Sequence, residues 1–505
     1  MTSLIGKICS LGRDRILWAL ALLAALSVAY YWHGLGPGDA ERYVDAALDW
    51  RAGPNLGDTH WALRHLLVLP MAASFSLLGV NEFAATLPNI IFAVALVALT
   101  YLCAKFFFGR LEAIIAAGLI AISGFFIARP IEIDVYGVET VLVAAACWVF
   151  ASAPFSAKRL ARLAAAGFLT GLAWTVREQN MFLGVAFGLI VLMERKDFFP
   201  RAFALAGGFL AVLAAEMIIY ALAAGDPLYR YLTDLNHTTV SPGKLEPLET
   251  AGWAKTILRP VKDTLTSPLV LPNLIFAGAG FLILRKDLRQ LLSERGRYAL
   301  SVLIVAALTA AIISSYGFSL TMPRYYPAFA YALFVFLGVL AAALWRRRGV
   351  RPASAILSMV AIANVFAADF SRYNEYDEAR ALAKIAAAID EPVMTDPMTA
   401  FRARYLLTFE GLSREEAFAR VTPTKYPTPG GLFFKSYARE IDGSWCVVKT
   451  EKSRRDNWAH ALVRAVGLDR LIGGHFAATV KKPDDVALVR VPNADAAGGC
   501  ARAPT

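Results

Sequence analysis

The sequence predicts a polytopic α-helical membrane protein of about eleven transmembrane helices, followed by a small C-terminal α/β domain. Three observations predict it. Of 505 residues, 57% are hydrophobic and only 18% are charged, against roughly 25% charged in a typical soluble chain. Apolar runs of about twenty residues, the length a helix needs to cross a bilayer core, recur over residues 16–369. Beyond Asp369 those runs stop and charge returns. Lipid offers no partners for backbone amides, and the runs lack the short alternation of a membrane barrel, so the spans are helical.

The first run, residues 16–32, follows Lys7, Arg13 and Arg15. No small-residue cleavage site follows it, so it reads as a retained anchor. Further spans are expected at 84–105, 111–128, 135–153, 160–176, 181–193, 202–224, 266–284, 298–315, 325–345 and 353–369. With the N-terminus in the cytoplasm, the inner loops collect Lys105 and Arg110, Lys158 to Arg162, Arg195 and Lys196, Arg285 to Arg289, and Arg346 to Arg351. That is the cytoplasmic enrichment expected of short loops. One long outer loop, 225–265, is also basic, but long loops translocate regardless of charge. These loops account for the net charge of +11, so the charge is no argument for nucleic-acid binding. The expected setting is a bacterial-type inner membrane.

An odd number of spans leaves the tail in the periplasm. Residues 1–370 are expected to form the membrane domain, with a first outer loop at 33–83, and residues 371–505 a soluble domain. In the tail, apolar positions at helical spacing predict a helix over 377–389. Short β-type runs at 391–395, 445–449 and 486–491 are separated by breakers such as Thr428-Pro429-Gly430-Gly431. Five cysteines are too few for a disulfide scaffold. Cys9, Cys103 and Cys147 read as packing residues. Cys446 and Cys500, both in the tail, are candidates to pair in an oxidising compartment.

Ionisable residues at the edge of spans are costly and therefore informative. They gather at the expected outer ends. The first outer loop opens Gly36-Pro37-Gly38-Asp39-Ala40-Glu41-Arg42-Tyr43 and continues to Asp58-Thr59-His60-Trp61. On irregular backbone Asp39 and Glu41 would both face one site. The apolar stretch Leu66–Leu78 is short for a span and suits a helix in the membrane interface. The third span ends Arg129-Pro130-Ile131-Glu132-Ile133-Asp134, a further turn carries Arg177-Glu178-Gln179-Asn180, and a later one Met322-Pro323-Arg324-Tyr325-Tyr326-Pro327. Three separate hairpins thus present an arginine at one boundary, the residue suited to bidentate phosphate recognition. A single arginine at a helix end is explained by snorkelling. Three on one side, two of them beside carboxylates, form a pattern that snorkelling does not require. His60 and His237 read as solvated or hydrogen-bonded side chains before metal ligands.

Taken in order, these motifs resemble the membrane-embedded glycosyltransferases of the GT-C fold, in the family 39-like branch of protein O-mannosyltransferases and the lipid A aminoarabinose transferase. Asp39 and Glu41 look like the family's acidic motif. The stretch His60-Trp61-Ala62-Leu63 to Leu78-Gly79-Val80-Asn81-Glu82-Phe83-Ala84 and Leu87-Pro88 is similar to its conserved first-loop segment. Arg129 to Asp134 resembles its arginine-to-aspartate turn, and Pro323 to Pro327 its late Arg-Tyr motif. The resemblance covers roughly residues 16–345. It implies a transferase that moves a sugar from a polyprenyl-phosphate donor to a hydroxyl on a lipid, glycan or protein acceptor at the periplasmic face, with inversion of configuration. It implies Asp39 as the catalytic base, and Glu41, Asp134 or Glu132 as groups orienting base or acceptor. Arg324, Arg177 and Arg129, with Tyr325 and His60, are implied at the donor phosphate.

The sequence departs from the pattern. Trp61 and Ala62 replace two prolines, and Thr59 stands where the aminoarabinose branch carries a metal-binding glutamate. His237 lies in the loop that supplies the second ligand but lacks that partner, so the resemblance leaves a divalent metal open, with His237 as its candidate ligand. An alternative of another class is a transporter or flippase of anionic lipid-linked solutes. Transporters place ionisable groups at the midplane of repeated halves, whereas here they sit at one face and no repeat is visible. A binding protein merely anchored by its spans would not need charged outer corners.

Overall fold

The computed structural model describes residues 14–32, 34–35, 39–53, 56–128, 133–195, 197–240, 267, 269–313, 326–370, 376–424, 426–435, 445–452, 457–467 and 485–492. Of the candidate site residues and cysteines named above, Arg129, Glu132, Arg324, Tyr325, Cys9 and Cys500 lie outside these. The fold divides into two units, one of residues 1–32, 42–77 and 86–371, the other of residues 33–41, 78–85 and 372–505.

The first unit is helical. Its elements are α1 (Arg15–Tyr31), α2 (Ala40–Ala52, whose first two residues belong to the second unit), α3 (His65–Leu78), α4 (Glu82–Phe107), α5 (Arg110–Ala121), α6 (Tyr136–Ser152), α7 (Arg159–Val176), α8 (Phe182–Glu194), α9 (Phe198–Ala224), α10 (Tyr229–Val240), α11 (Leu271–Leu291), α12 (Glu294–Ile312), α13 (Pro327–Arg348) and α14 (Val350–Phe370). Each expected span overlaps a helix, although the third is interrupted and the helix at 266–284 begins only at Leu271. Six segments among the described residues are long and apolar enough to cross a membrane: α4, α6 with its 3-10 extension to Phe155, α9, α12, α13 and α14. The protein is a multi-pass membrane protein.

Local chemistry sets the boundaries. Asp14 caps α1 by accepting the Ile16 and Leu17 amides, and its carboxylate also meets Lys105 Nζ at 2.7 Å. α13 opens on Pro327, whose fixed φ suits a first turn. It closes on Arg346, Arg347 and Arg348, which complement the negative helix end. The expected third span, 111–128, is interrupted. α5 stops at Ala121 and a π-turn, Gly124–Ala128, follows. The Ser123 hydroxyl accepts the Phe125 amide at 3.2 Å, a local bond that competes with the helical ladder.

Packing follows membrane rules, in which small residues let backbones approach. At the α7–α9 crossing a Cβ on Gly167 would lie 1.9 Å from the Leu205 carbonyl oxygen. Polar stitches supplement this contact: Trp148 Nε1 donates to Tyr331 Oη at 2.6 Å, and Asn273 and Asn364 exchange amide hydrogen bonds of 3.0 and 2.8 Å. α3 is more than an interfacial helix. Val68, Met71 and Phe75 are wholly buried in protein, while Leu69 and Leu77 remain exposed.

The second unit contains α15 (Tyr376–Ala387), β1 (Val393–Thr395), α16 (Pro397–Phe409), α17 (Arg414–Arg420), β2 (Val421–Pro423), β3 (Leu432–Lys435), β4 (Cys446–Lys452), α18 (Trp458–Ala465) and β5 (Asp485–Arg490). The strands form one sheet in the order β2-β1-β3-β5-β4. β1 is parallel to β2 and β3, while β5 runs antiparallel to β3 and β4. Phe433, Ala487, Val489 and Val491 form a small core on it. The expected helix and three strands are present, so the α/β reading of the tail holds. Strands β2 and β3, three and four residues long, carry no alternation long enough to register in the sequence. Cys446 is disulfide-bonded, and the free cysteines among the described residues are Cys103 and Cys147.

Candidate active site

The acidic motif lies in the second unit, where irregular backbone passes into the start of α2. Asp39 is exposed and immediately precedes α2, whereas Glu41 sits in the first turn of that helix and is buried. The two carboxylates thus differ in exposure. Glu41 accepts a 2.7 Å hydrogen bond from Tyr376 Oη. Burial and the neighbouring Glu41 carboxylate push the Tyr376 hydroxyl well above its ordinary pKa. Arg402 lies over the Tyr376 ring at 5.1 Å. The same unit contains a clasp: Arg380 Nη1 meets Glu82 at 2.6 Å, and Glu82 also accepts the Leu35 amide at 3.1 Å. Gly34 permits this approach, with φ +81° and no side chain; a Cβ there would lie 2.6 Å from both Arg380 and Glu82.

In the first unit, the residues before α6 and after α7 converge. Arg177 is buried and donates to Glu139 at 2.7 Å, with Asp134 at 3.7 Å. Its guanidinium also lies 4.9 Å over the Tyr136 ring. Gln179 Nε2 donates to the other Glu139 oxygen at 3.2 Å. Asp134 follows Ile133, a β-branched residue at φ +57°, a conformation costing about 1–2 kcal/mol. Asp134 and Arg177 were both expected in the site, and the fold does bring them together. Glu139 was missed, although a glutamate one helical turn inside a span is the signal that finds it. An anion binding at Arg177 would have to compete with Glu139 for a guanidinium that is already matched.

A second cluster was not anticipated. Arg230, at the start of α10, is buried and meets Glu178 at 2.5 Å, Glu216 at 3.0 Å and Asp234 at 3.6 Å. Nη1 also donates to the Thr175 carbonyl at 2.7 Å. Arg230 holds Glu178 down to about 2, the attraction outweighing burial, while burial and the nearby Glu178 charge raise Asp234 to about 7. The three carboxylates in turn raise Arg230. Only the basic character of the 225–265 loop hinted at this hub in the sequence.

The segment before α3 carries His60, half-buried with its ring 3.8 Å from that of Trp61. Arg64, just ahead of α3, donates to the Tyr43 hydroxyl. His237 falls in α10, but its side chain lies outside the described residues. Thr59 Oγ accepts the Ala62 amide at 3.4 Å, and among the described residues no group of three or more His, Cys, Asp or Glu side chains is placed to hold a metal ion.

Residues 67–220 match the model of the dolichyl-phosphate-mannose-protein mannosyltransferase family. No curated protein matches the chain. Solved structures share its fold, two of them of one protein. The crystal structure of ArnT from Cupriavidus metallidurans in the apo state aligns over 87% of this chain and 96% of that one, at 15% identity and a TM-score of 0.55. The same protein bound to undecaprenyl phosphate aligns over 97% and 99%, again at 15% identity and a TM-score of 0.55. The matched segment spans α3 to α9, the stretch that contributes Asp134, Glu139, Arg177, Glu178 and Glu216. Residues 67–220 are thus similar to that mannosyltransferase family, and the chain as a whole shares the fold of ArnT.

Proposed function

We propose that the chain transfers a glycosyl group from a polyprenyl-phosphate donor to a hydroxyl acceptor at the outer face of a bacterial-type inner membrane. The observation that carries this reading is the concentration of charged groups around the buried Arg177, Glu139 and Arg230 beside the loop ends of apolar helices, at Arg177–Glu139–Asp134 and at Arg230–Glu178–Glu216–Asp234. A lipid-tailed donor needs that layout: its chain remains among apolar helices while its phosphate and sugar reach a polar boundary. The match to a dolichyl-phosphate-mannose-dependent family and the ArnT complex with undecaprenyl phosphate support the same donor class. The disulfide at Cys446 supports an oxidising compartment for the tail, and so a periplasmic C-terminus.

In the reaction the acceptor oxygen attacks the anomeric carbon as its proton passes to a carboxylate. The bond from that carbon to the phosphate oxygen breaks, and polyprenyl phosphate leaves with the electron pair. Asp39 is the base in this reading, being the exposed member of the acidic motif. Glu41 orients it from α2, and Asp134 takes part in holding the acceptor side. Cationic groups stabilise the charge that grows on the leaving phosphate, the electrostatic share of catalysis. Single displacement inverts the sugar.

The test is turnover by the purified chain in lipid, with radiolabelled polyprenyl-phosphate hexose, uronic acid and aminopentose. Cleavage of one donor is the expected result. Translocation without cleavage of any would replace the enzyme by a transporter.

A further inference from the structure

If a phosphate enters this site, its charge must meet a cation that is not already neutralised. Arg177 is matched by Glu139 and Asp134, and Arg230 by Glu178, Glu216 and Asp234. Drawing a guanidinium out of such a buried pair leaves an uncompensated carboxylate, at a cost of about 3–5 kcal/mol. Arg64 differs. Its guanidinium donates to Tyr43 Oη, a neutral group, and no carboxylate of the described residues stands within 4 Å of it. Burial and the Arg177 charge oppose its positive charge, while Tyr43 and then, at longer range, Glu178 and Asp134 raise its pKa above the ordinary value.

Neighbouring groups point the same way. Arg64 directly precedes α3, a helix of fourteen residues, and its carbonyl accepts the Leu67 and Val68 amides at 2.9 and 3.1 Å. It therefore stands at the positive end of a helix, where anions are favoured. Next to it, Nε2 of His65 is buried without a hydrogen-bond partner. Trp50, whose ring packs edge-on against His65 at 5.6 Å, has a buried Nε1–H that is likewise unsatisfied. An unfilled buried donor costs about 1–3 kcal/mol and calls for a ligand or another explanation.

We propose that Arg64 is the guanidinium that receives the phosphate of the lipid donor, with the Nε1–H of Trp50 and the His65 imidazole as neutral groups beside it. This rests on the transferase reading and specifies its phosphate subsite. Arg64 makes and breaks no covalent bond; it holds the phosphate on arrival and stabilises it as the leaving group.

The experiment measures binding of undecaprenyl phosphate, undecaprenol and inorganic phosphate to the full chain in lipid nanodiscs. Wild type is expected to prefer undecaprenyl phosphate to undecaprenol by about 30-fold or more, in line with a charge-assisted bidentate contact. In Arg64→Ala the preference is expected to fall below about threefold while undecaprenol binding stays unchanged, and Arg64→Lys should lie between. A full preference in Arg64→Ala would overturn the assignment and leave the donor reading intact. A wild type without any preference would overturn both. If inorganic phosphate binds as tightly as the lipid form, the site serves free phosphate and the lipid assignment fails. Should Arg64→Ala not fold, Arg64→Lys decides: an undiminished preference overturns the proposal and a loss of about fivefold or more supports it.

Discussion

The hydroxyl of Tyr376, in the first turn of α15, donates a 2.7 Å hydrogen bond to Glu41, a carboxylate 335 positions earlier in the chain and two residues from Asp39. A tail residue therefore fixes the start of the helix that follows the acidic motif. Removing the hydroxyl leaves a buried carboxylate short of a donor. Tyr376→Phe is expected to destabilise the protein by about 1–3 kcal/mol and to lower kcat about tenfold, with KM close to wild type, as for a lost positioning contact. Thermal unfolding and steady-state kinetics check both, and an unchanged kcat would free Glu41 from any positioning role.

The Arg177–Glu139 pair predicts a non-additive pattern. Glu139→Gln alone and Arg177→Gln alone each strand a buried charge and should cost about 3–5 kcal/mol. The double variant should recover much of that loss, because neither charge then remains. A double-mutant cycle on purified protein in detergent measures the coupling; strict additivity would mean that the pair contributes no joint stability.

Asp234 and Glu178 share Arg230 but respond oppositely to pH. Asp234 is raised to about 7 from its ordinary value of 3.8, so the folded state holds a proton that the unfolded chain releases. Its contribution is fully present below about 3.8 and is lost as pH rises through 7. Glu178, lowered from 4.5 to about 2, contributes above 4.5 and loses that contribution only as pH falls through 2. Between pH 5 and 7 the Asp234 effect acts alone of the two. Wild type should lose on the order of 1 °C of Tm per pH unit through that window, and Asp234→Asn should remove this component. Equal slopes for the two proteins would contradict the assignment.

Packing gives a prediction independent of chemistry. Gly167 has the Leu205 carbonyl oxygen 1.9 Å from where a Cβ would stand. Gly167→Val must separate α7 from α9, and we expect it to abolish recovery of folded protein, since overpacking of this size exceeds the usual cost of about 1–3 kcal/mol. Gly207→Ala, on the same helix as the contact and with open space around its Cβ position, should express normally. Size-exclusion profiles of the two variants distinguish the outcomes.

These predictions rest on residues of unequal visibility in the sequence. The membrane helices were legible because apolar length is a strong, local signal. The break after Ala121 was not, because Ile122 to Ile127 stays apolar through it and only Ser123 interrupts the run. At the site, Arg177 and Asp134 were legible as charges at span ends, and Glu139 was overlooked inside a span. Arg230 and Tyr376 were invisible: their meaning comes from partners 52 and 335 residues away, and sequence spacing carries no trace of such pairings. Asp39 and Glu41 were found, but their separation in exposure follows from the helix that begins at Ala40, which the preceding Gly-Pro-Gly disguised as loop.

The central claim is glycosyl transfer assisted by Asp39, and single-turnover kinetics of Asp39→Asn tests it most directly. Wild type and variant, both folded in lipid and loaded with the donor that wild type cleaves, are mixed with acceptor and quenched over time. The account predicts unchanged donor binding and a transfer step slowed by about 10²–10⁴-fold, the usual share of a general base. Transfer at the wild-type rate would contradict it.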